Sequence, residues 1–177
     1  MNQVDEDLPG LRPRAAGPDD PLIRGRVGNP GGMTSVERTF AVDADAAAVV
    51  AYLTDFGNTE QWDPATQRTT RLEAGPVGPG SSWLNVSKVF GRESEITYTL
   101  RQLTDDMLVF VGENDTLTSI DTITVRPRGT GSEINYRVEL TLHGLAKLAT
   151  PAMKLEFEKL ANDTEKQMTE VLNRLAG

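Results

Sequence analysis

Two tyrosines occupy positions where a phenol group could act on a bound molecule. Tyr98 falls in the same alternating phase as Ile96 and Leu100, and Tyr136 falls in phase with the apolar residues of a second strand-like run. A phenol on an otherwise apolar face can orient a ligand or donate a hydrogen bond to a carbonyl group. Both positions also suit ordinary packing, because any buried tyrosine needs a partner for its hydroxyl. Tyr98 and Tyr136 are therefore candidates for catalysis as well as for ligand binding.

Large side chains in phase with these tyrosines predict the wall of a binding pocket. Apolar walls with a few hydroxyl groups suit a flat or greasy ligand. The alternative is that these side chains only fill a core, which is the commoner role of any single aromatic residue at strand or helix spacing. The predicted ligand-binding residues are Trp62, Trp83, Tyr98, Phe110, Tyr136, Met153, Phe157 and Leu160.

Two further side chains could carry chemistry, and each has a simpler interpretation. Lys88 is in phase with the apolar residues of its strand, so an inward-facing amine could act as a base or attack a carbonyl carbon. The simpler interpretation places Lys88 at the surface, with Asn85 and Ser87 facing inward instead. His143 is the only histidine, and its position in the polar phase of its strand favours the surface.

Motifs for metal and phosphate binding do not occur in the sequence. The chain has no cysteine and no HExxH or DxDxDG spacing. The glycine-rich run over residues 75–80 contains two prolines and lacks the Gly-Lys-Ser/Thr ending of a phosphate-binding loop. This run therefore predicts a turn, and we expect neither a cofactor nor a metal.

Charge and composition limit the class of partner. The net charge of -8 repels nucleic acids and anionic membranes. No apolar run approaches the roughly 20 residues of a membrane-spanning helix, and the N-terminal residues lack the apolar core of a secretory signal. The absence of cysteine is compatible with a reducing cytoplasm. We expect a cytoplasmic protein that binds a hydrophobic small molecule, without nucleic acid and without stable membrane insertion. The oligomeric state stays open.

The elements that position these residues follow from the hydrophobic periodicity. The pattern predicts a strand over 36–42, a helix over 44–56 with Asp43 as its N-cap, and a helical turn over 59–62. Strand-like runs then alternate with turns, and the chain ends in a long amphipathic helix over 151–175. The predicted strands cover residues 66–73, 83–90, 93–103, 107–112, 119–126 and 134–142.

This layout predicts an α+β domain with a cavity. An antiparallel sheet that buries one face against a single terminal helix tends to curl around that helix. We expect a curved antiparallel sheet of six to seven strands gripping the long C-terminal helix, with two short helices after strand one. Such a curled sheet can leave a pocket between sheet and helix.

The first 32 residues differ from the rest of the chain. They are rich in proline, glycine and charge and contain no aromatic residue. A segment of this composition cannot bury enough apolar area to offset its ordering entropy. We therefore expect a disordered tail over 1–32 and a folded domain over 33–177. Met33, directly before the first strand, is a candidate for an alternative or true translation start.

Four local stretches occur in a characteristic order along the chain. They are Asp43-Ala44-Asp45 continuing to Asp55-Phe56, Trp62-Asp63-Pro64, the run over 75–81, and Gly91 with the strand over 93–100. Together they resemble the START-like helix-grip superfamily (SRPBCC), and most of all its polyketide cyclase/dehydrase-like branch. Gly144-Leu145 before the final helix also fits, and the resemblance covers about residues 35–176. It implies a fold and a hydrophobic cavity rather than one particular reaction.

Three functions are compatible with the residues and the resemblance. The first is binding or transport of a lipid, isoprenoid or aromatic polyketide in the cavity between the sheet and the C-terminal helix. The second is a polyketide cyclase/dehydratase-type enzyme that uses the pocket tyrosines, and the third is a protein-interaction module. Arg101, Arg137 and Glu139 fall in the phase opposite to the tyrosines, which leaves few groups for catalysis. Binding is therefore the preferred function.

Overall fold

Seven strands and three helices make up the described part of the chain. The structure is a computed structural model that describes residues 33–89 and 91–177, with the side chains of residues 147–153 left out. The strands are β1 (Met33–Val42), β2 (Thr66–Arg71), β3 (Ser82–Val89), β4 (Arg92–Leu103), β5 (Met107–Glu113), β6 (Leu117–Arg128) and β7 (Gly131–Leu142). The helices are α1 (Ala46–Thr54), α2 (Thr59–Trp62) and α3 (Thr150–Asn173), with 3-10 turns at Phe56–Asn58, Gly144–Ala149 and Arg174–Ala176.

The strands form one antiparallel sheet in the order β1-β7-β6-β5-β4-β3-β2. All neighbours along β2 to β7 are joined by hairpins, and β1 closes the opposite edge by pairing with β7. With two short helices after β1 and the long helix α3 at the end, the architecture confirms the predicted α+β helix-grip. The tail predicted over residues 1–32 lies outside the described residues and stays a prediction.

Alternating burial explains why the strand predictions hold. On β7, Ile134, Leu140 and Leu142 are buried while the residues between them are more exposed. The β6–β7 ladder is longer than the hydrophobic pattern predicts, since pairing continues to Arg128 opposite Gly131. The strand therefore runs past Pro127, where the sequence predicts a turn.

The start of α1 corrects one prediction. The N-cap is Asp45 rather than Asp43, because the Asp45 carboxylate accepts a hydrogen bond of 3.0 Å from the backbone N–H of Ala48. Asp43 lies two residues too early to reach that turn. Its own backbone N–H donates to the side chain of Asn173, which ties the end of β1 to the end of α3.

The hydrophobic core occupies one half of the space between sheet and helix. Met168 and Leu172, in the second half of α3, are fully buried against an aromatic cluster on the sheet. The first half of α3 does not close onto the sheet in the same way, since Phe157 and Leu160 face an open space. Among the described residues, no helix combines the length and apolarity that crossing a bilayer requires.

Candidate functional site

A cavity of about 280 Å³ lies between the inner face of the sheet and the first half of α3. Most of its wall surface is apolar, and polar and charged side chains contribute the remainder. A cavity of this kind provides a surface for an apolar ligand and a small number of groups that orient it. The apolar wall includes Val36, Phe40, Ile96, Leu140, Phe157 and Leu160.

The register of three strands builds one part of the polar wall. Tyr98 on β4 pairs with Gly112 on β5, and Gly112 pairs with Ser119 on β6. A Cβ atom at Gly112 would lie 2.6 Å from Cε1 of Tyr98, so only glycine leaves room for this ring. The Tyr98 ring is stacked on Phe56 with a centroid separation of 4.4 Å, and its hydroxyl points across Gly112 towards Ser119, which acts to lower the pKa of Tyr98.

Asp121 lies next to this group on β6 and is only 5% exposed. Ser119 Oγ donates to Asp121 Oδ1 at 2.6 Å, and Tyr136 Oη donates to Asp121 Oδ2 at 3.2 Å. Burial raises the pKa of Asp121 to about 6, even though both hydrogen bonds act to lower it, and the charge of Asp63 adds to the rise. The cavity thus contains a carboxyl group whose pKa is raised towards neutral pH.

Asp63 contributes a second carboxylate to the wall. Its oxygens accept hydrogen bonds from the backbone N–H of Ala65 at 3.0 Å and from the hydroxyl of Thr66 at 2.6 Å. The side-chain amide of Asn85 in turn donates to the hydroxyls of Thr66 and Thr69. Burial raises the pKa of Asp63, and the bonds from Thr66 and Ala65 oppose the rise. The position of this carboxylate is therefore fixed by a network between α2, β2 and β3.

The two phenols remain protonated in this environment. Burial raises the pKa of Tyr98 and of Tyr136 well above the ordinary value, and the charge of Asp121 raises both further. The Tyr136 hydroxyl already donates a hydrogen bond to Asp121. Neither phenol can therefore act as a base near neutral pH, whereas Asp121 can accept a proton.

The edge of the cavity between β1 and α3 is held by Arg38. Its guanidinium donates to Glu158 Oε2 at 2.8 Å and to Asn162 Oδ1 at 2.8 Å, and it lies 3.8 Å from Glu165 Oε2. Arg38 belongs to the inward phase of β1, together with Val36 and Phe40. The arginine is thus used to join sheet and helix.

The predicted ligand-binding residues separate into two groups. Tyr98, Tyr136, Phe157 and Leu160 line the cavity. Trp62, Trp83 and Phe110 lie in the hydrophobic core, with exposures of 3%, 0% and 1%, and do not line it. Trp83 and Phe110 pack against each other and against Phe56, and Trp62 packs edge-on against Tyr136. Met153 belongs to α3, but its side chain lies outside the described part, and direct ligand contact stays a prediction for all eight residues.

Lys88 takes the simpler of its two interpretations, whereas His143 is less exposed than the predicted surface position. Lys88 is exposed on the outer face of β3, while Asn85 and Ser87 are buried. His143 is half-buried at the end of β7, where its Nε2 lies 2.9 Å from the hydroxyl of Thr118. Within residues 33–89 and 91–177, no three acidic or histidine side chains are grouped to hold a metal ion.

Sequence reasoning did not single out Asp63, Asp121 or Arg38 as site residues. The signal for Asp121 was present, because this acid shares the inward phase of β6 with Ile123 and Val125. A charged residue in the buried phase of a strand is rare unless it is paired or functional. Arg38 gives the same signal on β1.

The arrangement of a curved antiparallel sheet, a long C-terminal helix and a cavity between them is the START-like helix-grip fold. A family model described as polyketide cyclase/dehydrase and lipid transport matches residues 33–176. The chain belongs to this family, and it is a hydrophobic-ligand-binding domain of the START type. This confirms the resemblance that the sequence stretches carry.

Solved structures of similar fold include proteins of related description. The chain is similar to the Zhui aromatase/cyclase from a Streptomyces species, with 13% identity over 81% of this chain and 93% of that one, at a TM-score of 0.64. A START superfamily protein from Mycobacterium smegmatis has 16% identity over 80% of this chain and 98% of that one, at a TM-score of 0.63. The di-domain ARO/CYC BexL has 11% identity over 80% of this chain, at a TM-score of 0.61, and this chain spans 50% of its length.

These identities are low enough that the likeness shows the fold alone. No curated protein matches the sequence significantly.

Proposed function

We propose that this protein binds one hydrophobic small molecule in the cavity between the sheet and α3, to carry it or to sequester it. The observation that carries the proposal is about 280 Å³ of space beside an otherwise closely packed core. Protein interiors are normally filled, because unfilled apolar space forfeits dispersion contacts and destabilises the fold. Because an unfilled cavity would destabilise the fold, its presence supports the binding of a ligand within it.

The size of the cavity narrows the ligand. Small-molecule pockets commonly measure roughly 300–1,000 Å³, and about 280 Å³ lies just below that range. A compact aromatic polyketide or a single isoprenoid chain suits this volume better than a lipid with two acyl chains. We therefore favour the aromatic and isoprenoid members of the ligand class.

A cavity-filling variant tests the proposal. Ala161 on α3 lines the cavity, so Ala161→Phe should occupy the space of a ligand. Ala47 on α1 is exposed, and Ala47→Phe is the matched control. We expect native mass spectrometry or calorimetry to detect one bound neutral probe, naphthylmethanol, on the wild type and on the control but not on Ala161→Phe. The proposal would be refuted if the wild type neither bound this probe nor retained a co-purified hydrophobic molecule.

A second candidate, a cyclase or dehydratase acting on a polyketide-like substrate, is favoured by the Asp121–Tyr136 hydrogen bond inside the cavity. In this candidate Asp121 removes a proton from the carbon beside a carbonyl group, and the Tyr98 hydroxyl donates to the carbonyl oxygen. The base is then Asp121 rather than a tyrosine. Turnover of a polyketide-like thioester by the wild type should fall by at least about 100-fold in Asp121→Asn. Unchanged turnover in this variant would remove Asp121 as the base.

A further inference from the structure

The polar wall of the cavity indicates the chemical class of the ligand's polar group. We propose that the cavity selects a hydrophobic molecule that carries a protonated amine, and that the amine binds the carboxylates of Asp121 and Asp63. This inference rests on the proposed function, because it names the polar group of the same hydrophobic ligand.

Asp121 retains acceptor capacity for such a group. A carboxylate offers about four acceptor sites on its two oxygens. Ser119 uses one site on Oδ1 and Tyr136 uses one site on Oδ2. Asp121 lines the cavity, so the remaining sites are available to a donor that lies within it.

Asp63 presents a second acceptor to the same space. The bonds from Ala65 and Thr66 hold its carboxylate in place, and it also lines the cavity. Tyr98, Tyr136, Asp63 and Asp121 all line the same cavity, and the charges of the two acids raise the pKa of both phenols. An ammonium group has three donors, so it can bind one carboxylate while the charge of the other attracts it.

Acids outnumber bases in the wall of the cavity. Of the side chains that the structure describes, the acids Asp63, Glu93, Asp121 and Glu165 and the bases Arg38 and Arg92 line it. Arg38 is engaged on α3 by Glu158 and Asn162, and Arg92 is exposed at the β3–β4 hairpin. The nearby charge that acts on Asp121 is that of Asp63, which has the same sign.

A cationic ligand would relieve this imbalance. Buried carboxylates are normally paired with a cation, since an unpaired buried charge is unfavourable. An amine supplies the missing charge, and the rings of Tyr98 and Tyr136 add aromatic surface beside it. A ligand carboxylate would instead be repelled by both acids.

Three probes with the same naphthyl group separate the contribution of the polar group from that of the apolar surface. Naphthylmethylamine, naphthylmethanol and naphthoic acid are titrated into the full chain by calorimetry at neutral pH. We expect the amine to bind at least about tenfold more tightly than the alcohol, which corresponds to one charge-assisted contact. The acid should bind more weakly than both.

Variants assign the preference to the carboxylates. Asp121→Asn should reduce amine affinity by at least about tenfold while changing alcohol affinity by less than about threefold. Asp115→Asn, at an exposed position, removes the same formal charge and should leave both affinities unchanged. If Asp121→Asn fails to fold, Asp63→Asn and the comparison of probes on the wild type decide the question.

The outcomes distinguish this inference from the proposed function. Equal binding of amine and alcohol would overturn the selection of an amine and leave the hydrophobic site intact. The absence of binding by all three probes would remove both. An amine preference that survives in Asp121→Asn and in Asp63→Asn would overturn the assignment to these carboxylates.

Discussion

Replacing Asp121 with asparagine is expected to stabilise the protein at neutral and alkaline pH. The side chain is 5% exposed, and burial opposes its ionisation. Asparagine has nearly the same shape and keeps an oxygen that can accept the hydrogen bond from Ser119. The substitution thus removes a buried charge while preserving most of the local packing.

The magnitude follows from the pKa of this carboxyl group. Burial raises it from 3.8 to about 6, a rise of about two units, and each unit corresponds to about 1.4 kcal/mol. Because the folded state holds the proton more tightly than the unfolded state, the stabilisation from the protonated group is fully present below pH 3.8. It is lost as the pH rises through about 6, which lowers the stability of the wild type by up to about 3 kcal/mol.

Urea unfolding followed by circular dichroism, repeated from about pH 4 to about pH 8, measures this effect. The free energy of unfolding of Asp121→Asn minus that of the wild type should grow with pH by up to about 3 kcal/mol. The pKa of the half-buried acid Asp63 is also raised, so Asp63 adds a slope of the same sign to both proteins, and most of that slope cancels in the difference. Asp115→Asn serves as the control for net charge. A difference that is constant with pH, or that shrinks as the pH rises, would refute the reasoning.

Three further substitutions test the geometry of the site and the fold. Gly112→Ala should displace the Tyr98 ring and lower the free energy of unfolding, measured in urea, by about 1–3 kcal/mol. In a Tyr98→Ala background the same substitution should cost less, and an equal cost in both backgrounds would contradict the contact. Arg38→Met should cost about 1.5–3 kcal/mol in the same assay, because the bonds between β1 and α3 are lost; unchanged stability would show that they contribute nothing. Asp45→Ala should cost about 1 kcal/mol and Asp43→Ala clearly less, since Asp45 caps α1; equal losses would contradict this assignment.

The sequence predicted the fold well because its signals are local. The alternation along β7 places Ile134 and Leu140 on the buried face, as the structure confirms. The short helical turn over Thr59–Trp62 was also predicted at its observed bounds. The N-cap of α1 was misplaced by two residues, because both Asp43 and Asp45 have the right chemistry. Only the path of the chain out of β1 decides between them.

The site was harder to predict than the face of each strand. Trp83 and Tyr98 both belong to inward-facing phases, yet Trp83 lies in the core and Tyr98 lines the cavity. The periodicity of a strand predicts the face of the sheet on which a side chain lies, but it does not predict which other element packs against that side chain. That depends on where α3 crosses the sheet and on which of its halves packs closely.

The sequence by itself determined the order of the elements and the face on which each side chain lies. These properties follow from the periods of strands and helices, which involve only neighbouring residues. Tertiary structure alone decided that Asp121 meets Tyr136, because this contact depends on the register of β6 against β7. It also decided that Tyr98 crosses Gly112 towards the same group, since two strand pairings must align for that contact to form. Long-range register and helix placement thus turned a set of inward-facing residues into a core and a cavity.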